Sequence, residues 1–271
     1  MHKGFTLVDL LVSLGVVVLL IGVLLPALAA TREVSYRIVC SSNVRQLGLG
    51  VVMYADDNRG RMPRTVYVSP DQPIDDLFAE TVTVRLSSES PRASFIMNSP
   101  DLLKPDLKPD LKPDSMSSDQ EIFIKQGWDG LGLLFSLDYL SGPGVFYCPS
   151  HRGDVKLETY EAQWKGSPGS IVSSFQYRGV GPNRTGDLYR VLPRQSSIVA
   201  DAFLNPTVPN HPDGLNVLRA DLAVSWRPES LAKLNDLAVM ARNGDDLDEN
   251  SNQLGGFIWH LLDGQSYVPP Y

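Results

Sequence analysis

Lys3-Gly4-Phe5-Thr6-Leu7-Val8-Asp9 opens an apolar run that lasts to Ala30, with Asp9 the one formal charge between Phe5 and Ala30. At about 1.5 Å per residue a helix over this run is roughly 39 Å long, enough to cross the hydrocarbon core of a bilayer. The apolar stretch exceeds the h-region of an ordinary signal peptide, and an acid sits near its start. Ala27-Leu28-Ala29 nevertheless offers a small-x-small site ahead of Ala30, so a cleaved secretory signal and a plain transmembrane anchor stand as rival readings.

Helical spacing continues past the anchor. Val34, Ile38, Val44, Leu47, Val51 and Tyr54 recur mostly at three and four residues, with Arg32, Glu33, Arg37, Arg45 and Gln46 between them, which predicts an amphipathic continuation. Gly60 is the expected stop, with Pro63 beyond it. Pro26 removes one backbone donor and is expected to kink the helix locally.

A short basic leader ending in Gly4, then Phe5-Thr6-Leu7-Val8 and an acid at position 9, resembles the class III leader of type IV prepilins and of the pseudopilins of type II secretion. Pro26 matches a proline common there. The resemblance implies that a membrane peptidase/methyltransferase cuts between Gly4 and Phe5 and methylates the new amino terminus. It also implies that Asp9 pairs with the Phe5 α-amine of a neighbouring subunit. Such a carboxylate needs a partner, because burying it in lipid costs about 2.5–3.5 kcal/mol on insertion scales; the family usually has Glu there, one methylene longer.

Two further blocks sharpen the likeness. Cys40-Ser41-Ser42-Asn43-Val44-Arg45-Gln46-Leu47-Gly48 and Phe146-Tyr147-Cys148-Pro149 are similar to the Cys-x-x-Asn-x-Arg-Gln-x-Gly and Phe-x-Cys-Pro blocks of a planctomycete group of pilin-like proteins. His211, nine residues ahead of Asp221, resembles the H-x9-DG block that accompanies such leaders, and Gly214, Asn216, Val217, Leu218, Val224 and Trp226 fit its pattern. Leu222 departs from it, since the family has glycine there. The block reads as a β-hairpin over 211–226 with its turn near Arg219 to Leu222.

The chain of 271 residues is 43% hydrophobic and 20% charged, with 24 basic and 31 acidic side chains and a formal net charge of -7. That is a globular composition once the anchor is set aside. Overall acidity suggests no basic surface for nucleic acid. Cys40 and Cys148 fall on the presumed exported side, where an even count suits one disulfide, with two buried thiols as the other reading.

Between these blocks the signals are uneven. Thr81-Val82-Thr83-Val84-Arg85-Leu86 alternates like a strand. Lys104-Pro105-Asp106-Leu107 and its repeats to Asp114 forbid a helix interior and offer no apolar face, so 101–118 is expected to be an exposed loop, tolerant of repeat expansion or serving as a spacer. The apolar stretch from Trp128 to Tyr147 is expected in the core. Ser173–Arg178, Val191 and Ile198–Ala202 look like strands around the turn-rich 179–183 segment. Glu229 to Asn243 has helical spacing behind Pro228, and Phe257–Leu262 is apolar enough to dock on the core.

Candidate chemistry is sparse. His211 with Asp201 and Asp221 is a poor metal or acid/base set, with one histidine and no nearby nucleophile, so no metal or catalytic residue is expected and the chain is not expected to be an enzyme. Asp245 to Asn252 starts like a calcium loop, but Ser251 and Phe257 replace the glycine and glutamate an EF-hand needs; calcium is a minor alternative to a solvated acidic loop.

Taken together, an α+β fold is expected: leader 1–4, transmembrane helix 5–30, amphipathic continuation 31–60, and an exported pilin-like domain 61–271 with an antiparallel sheet and enlarged loops. The resemblance implies a pilin-like or pseudopilin subunit of a type II secretion or type IV pilus-like system. Its partners would be the prepilin peptidase, other pilin-like subunits through the N-terminal helix, and the assembly platform. It would sit in the cytoplasmic membrane, single-pass with its amino terminus inside. The alternative is an anchored, exported binding protein that uses the leader for targeting only and does not assemble.

Overall fold

The computed structural model describes residues 7–67, 81–87, 127–182, 185–203, 210–228, 258–259 and 262–264. The Gly4/Phe5 junction, the 101–118 repeat, the 229–243 segment and the acidic 245–252 loop lie outside the described residues.

A single helix, α1 (Leu7–Asp57), runs unbroken through the apolar stretch, across Pro26 and into the amphipathic half. Its segment Leu7–Leu25 has a mean hydropathy of 2.8 and no buried residue, so it is long and apolar enough to cross a membrane. The second half behaves differently. Cys40, Val44, Leu47, Val51 and Tyr54 are all buried, at alternating spacings of four and three that hold one stripe of the helix against the core. Gly60, at φ 84, follows the helix where a stop was expected.

The start of this stripe differs from the expected one. Val34 and Ile38 are 48% and 64% exposed, because the stripe traced back from Cys40 passes through Arg37 and Glu33, whose side chains turn towards the domain. Val34 and Ile38 lie off that face and extend the exposed apolar surface of α1.

The domain is α+β with antiparallel sheets. β1 (Thr83–Arg85) pairs with β2 (Ile171–Val172) in a two-stranded sheet. Strands β3 (Phe175–Tyr177), β4 (Ser197–Asp201), β5 (Leu215–Arg219) and β6 (Val224–Arg227) form a four-stranded sheet in sequence order. Helix α1 packs on β4, β5 and β6. The core also takes in α2 (Gly132–Ser136) and α3 (Glu161–Trp164), where Trp128, Phe135, Phe146 and Trp164 pack with ring centroids 4.7–5.5 Å apart. Such aromatic pairs add about 0.5–1.5 kcal/mol beyond their buried area.

Val191, expected in a strand, lies instead in a bend after a 3-10 turn, Leu188–Arg190, and is buried there as a single anchor. The 211–226 block does form its hairpin, with Leu218 paired to Val224 next to the turn. Leu222 keeps a left-handed backbone at φ 64, so the turn still needs the conformation glycine would supply at no steric cost. Arg219 and Ala223 bridge the turn through their backbones, and Asp221 Oδ1 accepts from Ala223 N at 3.0 Å. Leu222 is half-buried.

Asp129 carries the clearest pH dependence in this architecture. It is buried, Thr65 Oγ1 donates to its Oδ2 at 2.6 Å, and Val66 N donates to its Oδ1 at 2.9 Å. Burial outweighs these bonds and pushes its carboxyl up to about 7. The folded chain then holds a proton that the unfolded chain has lost between about pH 4 and pH 7. Stability from this group is therefore full below about pH 4 and falls as pH rises to 7, by up to about 4 kcal/mol. Denaturant midpoints across that range should show the decline, and Asp129→Asn should flatten it.

Candidate functional site

Four side chains from four separate segments converge beside α1. Cys40 comes from the helix, Cys148 from the turn after Phe146, Asp201 from the end of β4, and His211 from the loop ahead of β5. Each is buried, and their ligating atoms all lie within 4.8 Å of one another. Cys40 Sγ donates to Asp201 Oδ1 at 3.0 Å, Cys148 Sγ lies 3.5 Å from His211 Nε2, and His211 Nε2 lies 3.8 Å from Asp201 Oδ2.

Local structure explains how each arrives. Asn43 Nδ2, one helical turn after Cys40, donates to Tyr147 O at 3.0 Å and holds the Cys148 turn against α1. On the other side, Asn216 N and Nδ2 donate to Asp201 Oδ2 at 2.6 and 3.0 Å, and Asn210 Nδ2 donates to Asp201 Oδ1 at 2.9 Å. Trp226 lies edge-on to His211 with centroids 5.5 Å apart and carries the Arg37 guanidinium 4.4 Å over its ring. Gly214, at φ 157, gives β5 its close approach to β6, since a Cβ there would run into Arg227 O.

Glu33 completes the surroundings from α1, two helical turns before Cys40 on the same face. Its Oε1 accepts from His211 Nδ1 at 2.8 Å, and both its oxygens lie within 2.7 Å of Ser150 Oγ. In the neutral imidazole, a proton on Nδ1 facing this carboxylate would leave the Nε2 lone pair towards Cys148 and Asp201.

Charges in the group are strongly linked. Burial pulls His211 down, but contacts with Cys148, Asp201 and Glu33 outweigh it and raise the imidazole to about 9. Burial pushes the Glu33 carboxyl up, and it is nevertheless held below its ordinary range by Ser150, His211 and Arg152. The two thiols are driven apart: burial pushes Cys40 up, while the hydrogen bond with Cys40, helped by His211, pulls Cys148 down.

No family model, curated protein or solved structure matches the chain. Its chemistry is therefore read from the side chains themselves.

The expected sites fall into three groups. Asp9 lies on the exposed apolar half of α1, Pro26 lies within that helix, and Gly4 and Phe5 are outside the described residues. His211, Asn216 and Trp226 of the hairpin block reach the cluster, whereas Asp221 is spent on the turn. Cys40 and Cys148 do meet, but as two free thiols rather than the expected disulfide; each sulfur is engaged by a different neighbour, Asp201 for one and His211 for the other. Glu33 and Asn210 were not anticipated, and the only sequence hint of Glu33 is its place on the Cys40 face of α1.

Cys148, His211 and Glu33 stand in the order nucleophile, base and orienting acid. Access argues against using them so: Cys148 is 3% and His211 1% exposed. A groove of about 440 Å³ along α1, bordered by Gln46, Gly50, Met53, Tyr139 and Leu140, is lined by none of these three. The arrangement suits holding something small within the group better than reaching a substrate outside it.

Proposed function

We propose that the chain is a membrane-anchored, pilin-like subunit, matured at Gly4/Phe5, of a type II secretion or type IV pilus-like assembly. The observation that carries this reading is α1: one helix of 51 residues, apolar and exposed over its first half and seamed into an antiparallel sheet over its second. A lone anchor needs no rigid continuation into the domain. A helix that is membrane span and core element at once transmits position from bilayer to outer domain, which is what a subunit packed laterally with its neighbours requires.

Exposed Val34, Ile38 and Val39 carry the apolar surface beyond the first half of the helix, extending what neighbouring helices can cover. Asp9 would act as a register device, pairing a carboxylate in lipid with the new amino terminus of an adjacent subunit. The chemistry is mechanical, and the partners are the processing peptidase/methyltransferase and other helices of this kind.

Gly4→Val is expected to leave the leader in place, read by the mass of the membrane-extracted chain. In vivo crosslinking between α1 helices should capture wild-type assemblies and fall about tenfold or more in Asp9→Ala. A wild-type chain that is processed but never crosslinks to a pilin-like neighbour would support the anchored, non-assembling binding protein instead.

A further inference from the structure

We propose that Cys40, Cys148, Asp201 and His211 form a closed four-ligand site for a thiophilic divalent cation of the zinc class, which staples α1 to the sheet. Two thiolates, one imidazole and one carboxylate are donors such an ion accepts, and their pairing with hard cations such as calcium is poor. With Zn–S near 2.3 Å and Zn–N near 2.0 Å, tetrahedral donors stand roughly 3.3–3.8 Å apart. With Asp201 offering Oδ1, the Cys40–Asp201 and Cys148–His211 separations are 3.0 and 3.5 Å, and with one donor atom from each residue the four lie within 4.8 Å of one another, so side-chain adjustments of about 1 Å reach that geometry.

Arrangement around the four donors is an independent sign of a built site. A histidine that ligates through one ring nitrogen commonly gives the other to a carboxylate, which fixes its tautomer and raises its basicity. Glu33 does this for His211 Nδ1 at 2.8 Å, while Asn210 and Asn216 hold Asp201 through three donors. A buried thiol pair tied by a disulfide would need none of these supports.

Function follows from closure. Four protein donors fill a tetrahedral ion, and with exposures of 0%, 3%, 2% and 1% for Cys40, Cys148, Asp201 and His211 the group is closed to bulk solvent. Such an ion is structural rather than catalytic. It would join α1, the Cys148 turn, β4 and the hairpin at one point, stiffening the junction between the apolar half of α1 and the outer domain. On binding, any proton still on the two sulfurs or on His211 Nε2 is released to solvent as the thiolate–metal and imidazole–metal bonds form.

The test uses the full-length chain, extracted in detergent and purified without oxidant. One Zn2+ per chain is expected by elemental mass spectrometry, with both thiols unreactive towards an aromatic disulfide reagent until a chelator is added. Replacement by Co2+ should give thiolate-to-cobalt charge-transfer bands and the visible spectrum of a tetrahedral ion, and Cys148→Ser should lose both. Because that variant can fail to fold, Glu33→Gln is the second arm: its side chain is 29% exposed and donates no ligand, and Zn2+ affinity should fall about 10–100-fold. A chain recovered metal-free and two protons lighter, with Cys40 and Cys148 bridged, overturns the proposal. So does a reduced, folded chain that stays metal-free in excess Zn2+.

Discussion

Asp201→Ala should lower folding stability by about 5 kcal/mol or more, since each buried donor left without an acceptor costs about 1–3 kcal/mol. Asp201 is 2% exposed and accepts from Cys40 Sγ, Asn210 Nδ2, Asn216 N and Asn216 Nδ2. Alanine takes this acceptor from Cys40 Sγ, Asn216 N and Asn216 Nδ2, leaves Asn210 Nδ2 with only Ser174 O at 2.7 Å, and removes the carboxylate facing His211. Against the 5–15 kcal/mol that holds an ordinary domain together, most of the chain is expected to unfold or fail to accumulate. Asp201→Asn keeps the shape and one acceptor but sets an NH2 against the donors of Asn216, and should fall between wild type and alanine. Denaturation in detergent, followed by tryptophan fluorescence, measures both. Wild-type stability in Asp201→Ala would mean that β4 does not organise this junction.

Asp263→Ala is expected to cost a similar amount at the other end of β4. Asp263 takes Arg178 on both carboxylate oxygens, at 3.1 and 2.9 Å, and accepts from Ser197 N at 2.7 Å, with side-chain exposures of 5% for Arg178 and 0% for Asp263. Its short segment is held by Ile258, Trp259 and Leu262, all buried, and by Arg227 donating to Leu262 O at 3.1 Å. Removing one partner of a buried pair leaves an uncompensated charge, typically about 3–5 kcal/mol, and replacing both by apolar groups of similar size is often neutral. Arg178→Met with Asp263→Leu should therefore recover much of what Asp263→Ala loses. Protease digestion that releases the C-terminal segment from Asp263→Ala, but not from the double variant, would locate the loss.

Much of the framework was legible because it rests on local periodicity. The apolar run and the four-three spacing from Val44 to Tyr54 specify a continuous helix, and two short apolar-rich runs, with Leu215, Val217 and Leu218 before the 219–222 turn and Val224 and Trp226 after it, mark a hairpin. Docking of Ile258, Trp259 and Leu262 follows from their density in a polar tail. Where side chains were placed wrongly, the partner surface decided. Val34 and Ile38 fit the helical spacing as well as Glu33 and Arg37 do, and only the position of the Cys148 turn and the hairpin makes the polar pair face inward. The cluster was half visible. Cys40, Cys148 and His211 each sit in a recognisable block, but the contacts joining Glu33 to His211 and Cys40 to Asp201 span 178 and 161 residues. No local pattern carries a pairing at that range, so Asp201 was weighed with Asp221, which the fold spends on a turn instead. Leu222 shows a third limit: the missing glycine was plain in the sequence, while the retained left-handed backbone at φ 64 was not.

The intact mass of the wild-type chain, extracted from membranes and read under non-reducing conditions, tests the pilin-like reading most directly. The expected chain begins at Phe5 and is one methyl group heavier than its unmodified sequence. A chain that retains Met1 to Gly4, or one cut after Ala29 and free of the membrane, would contradict it.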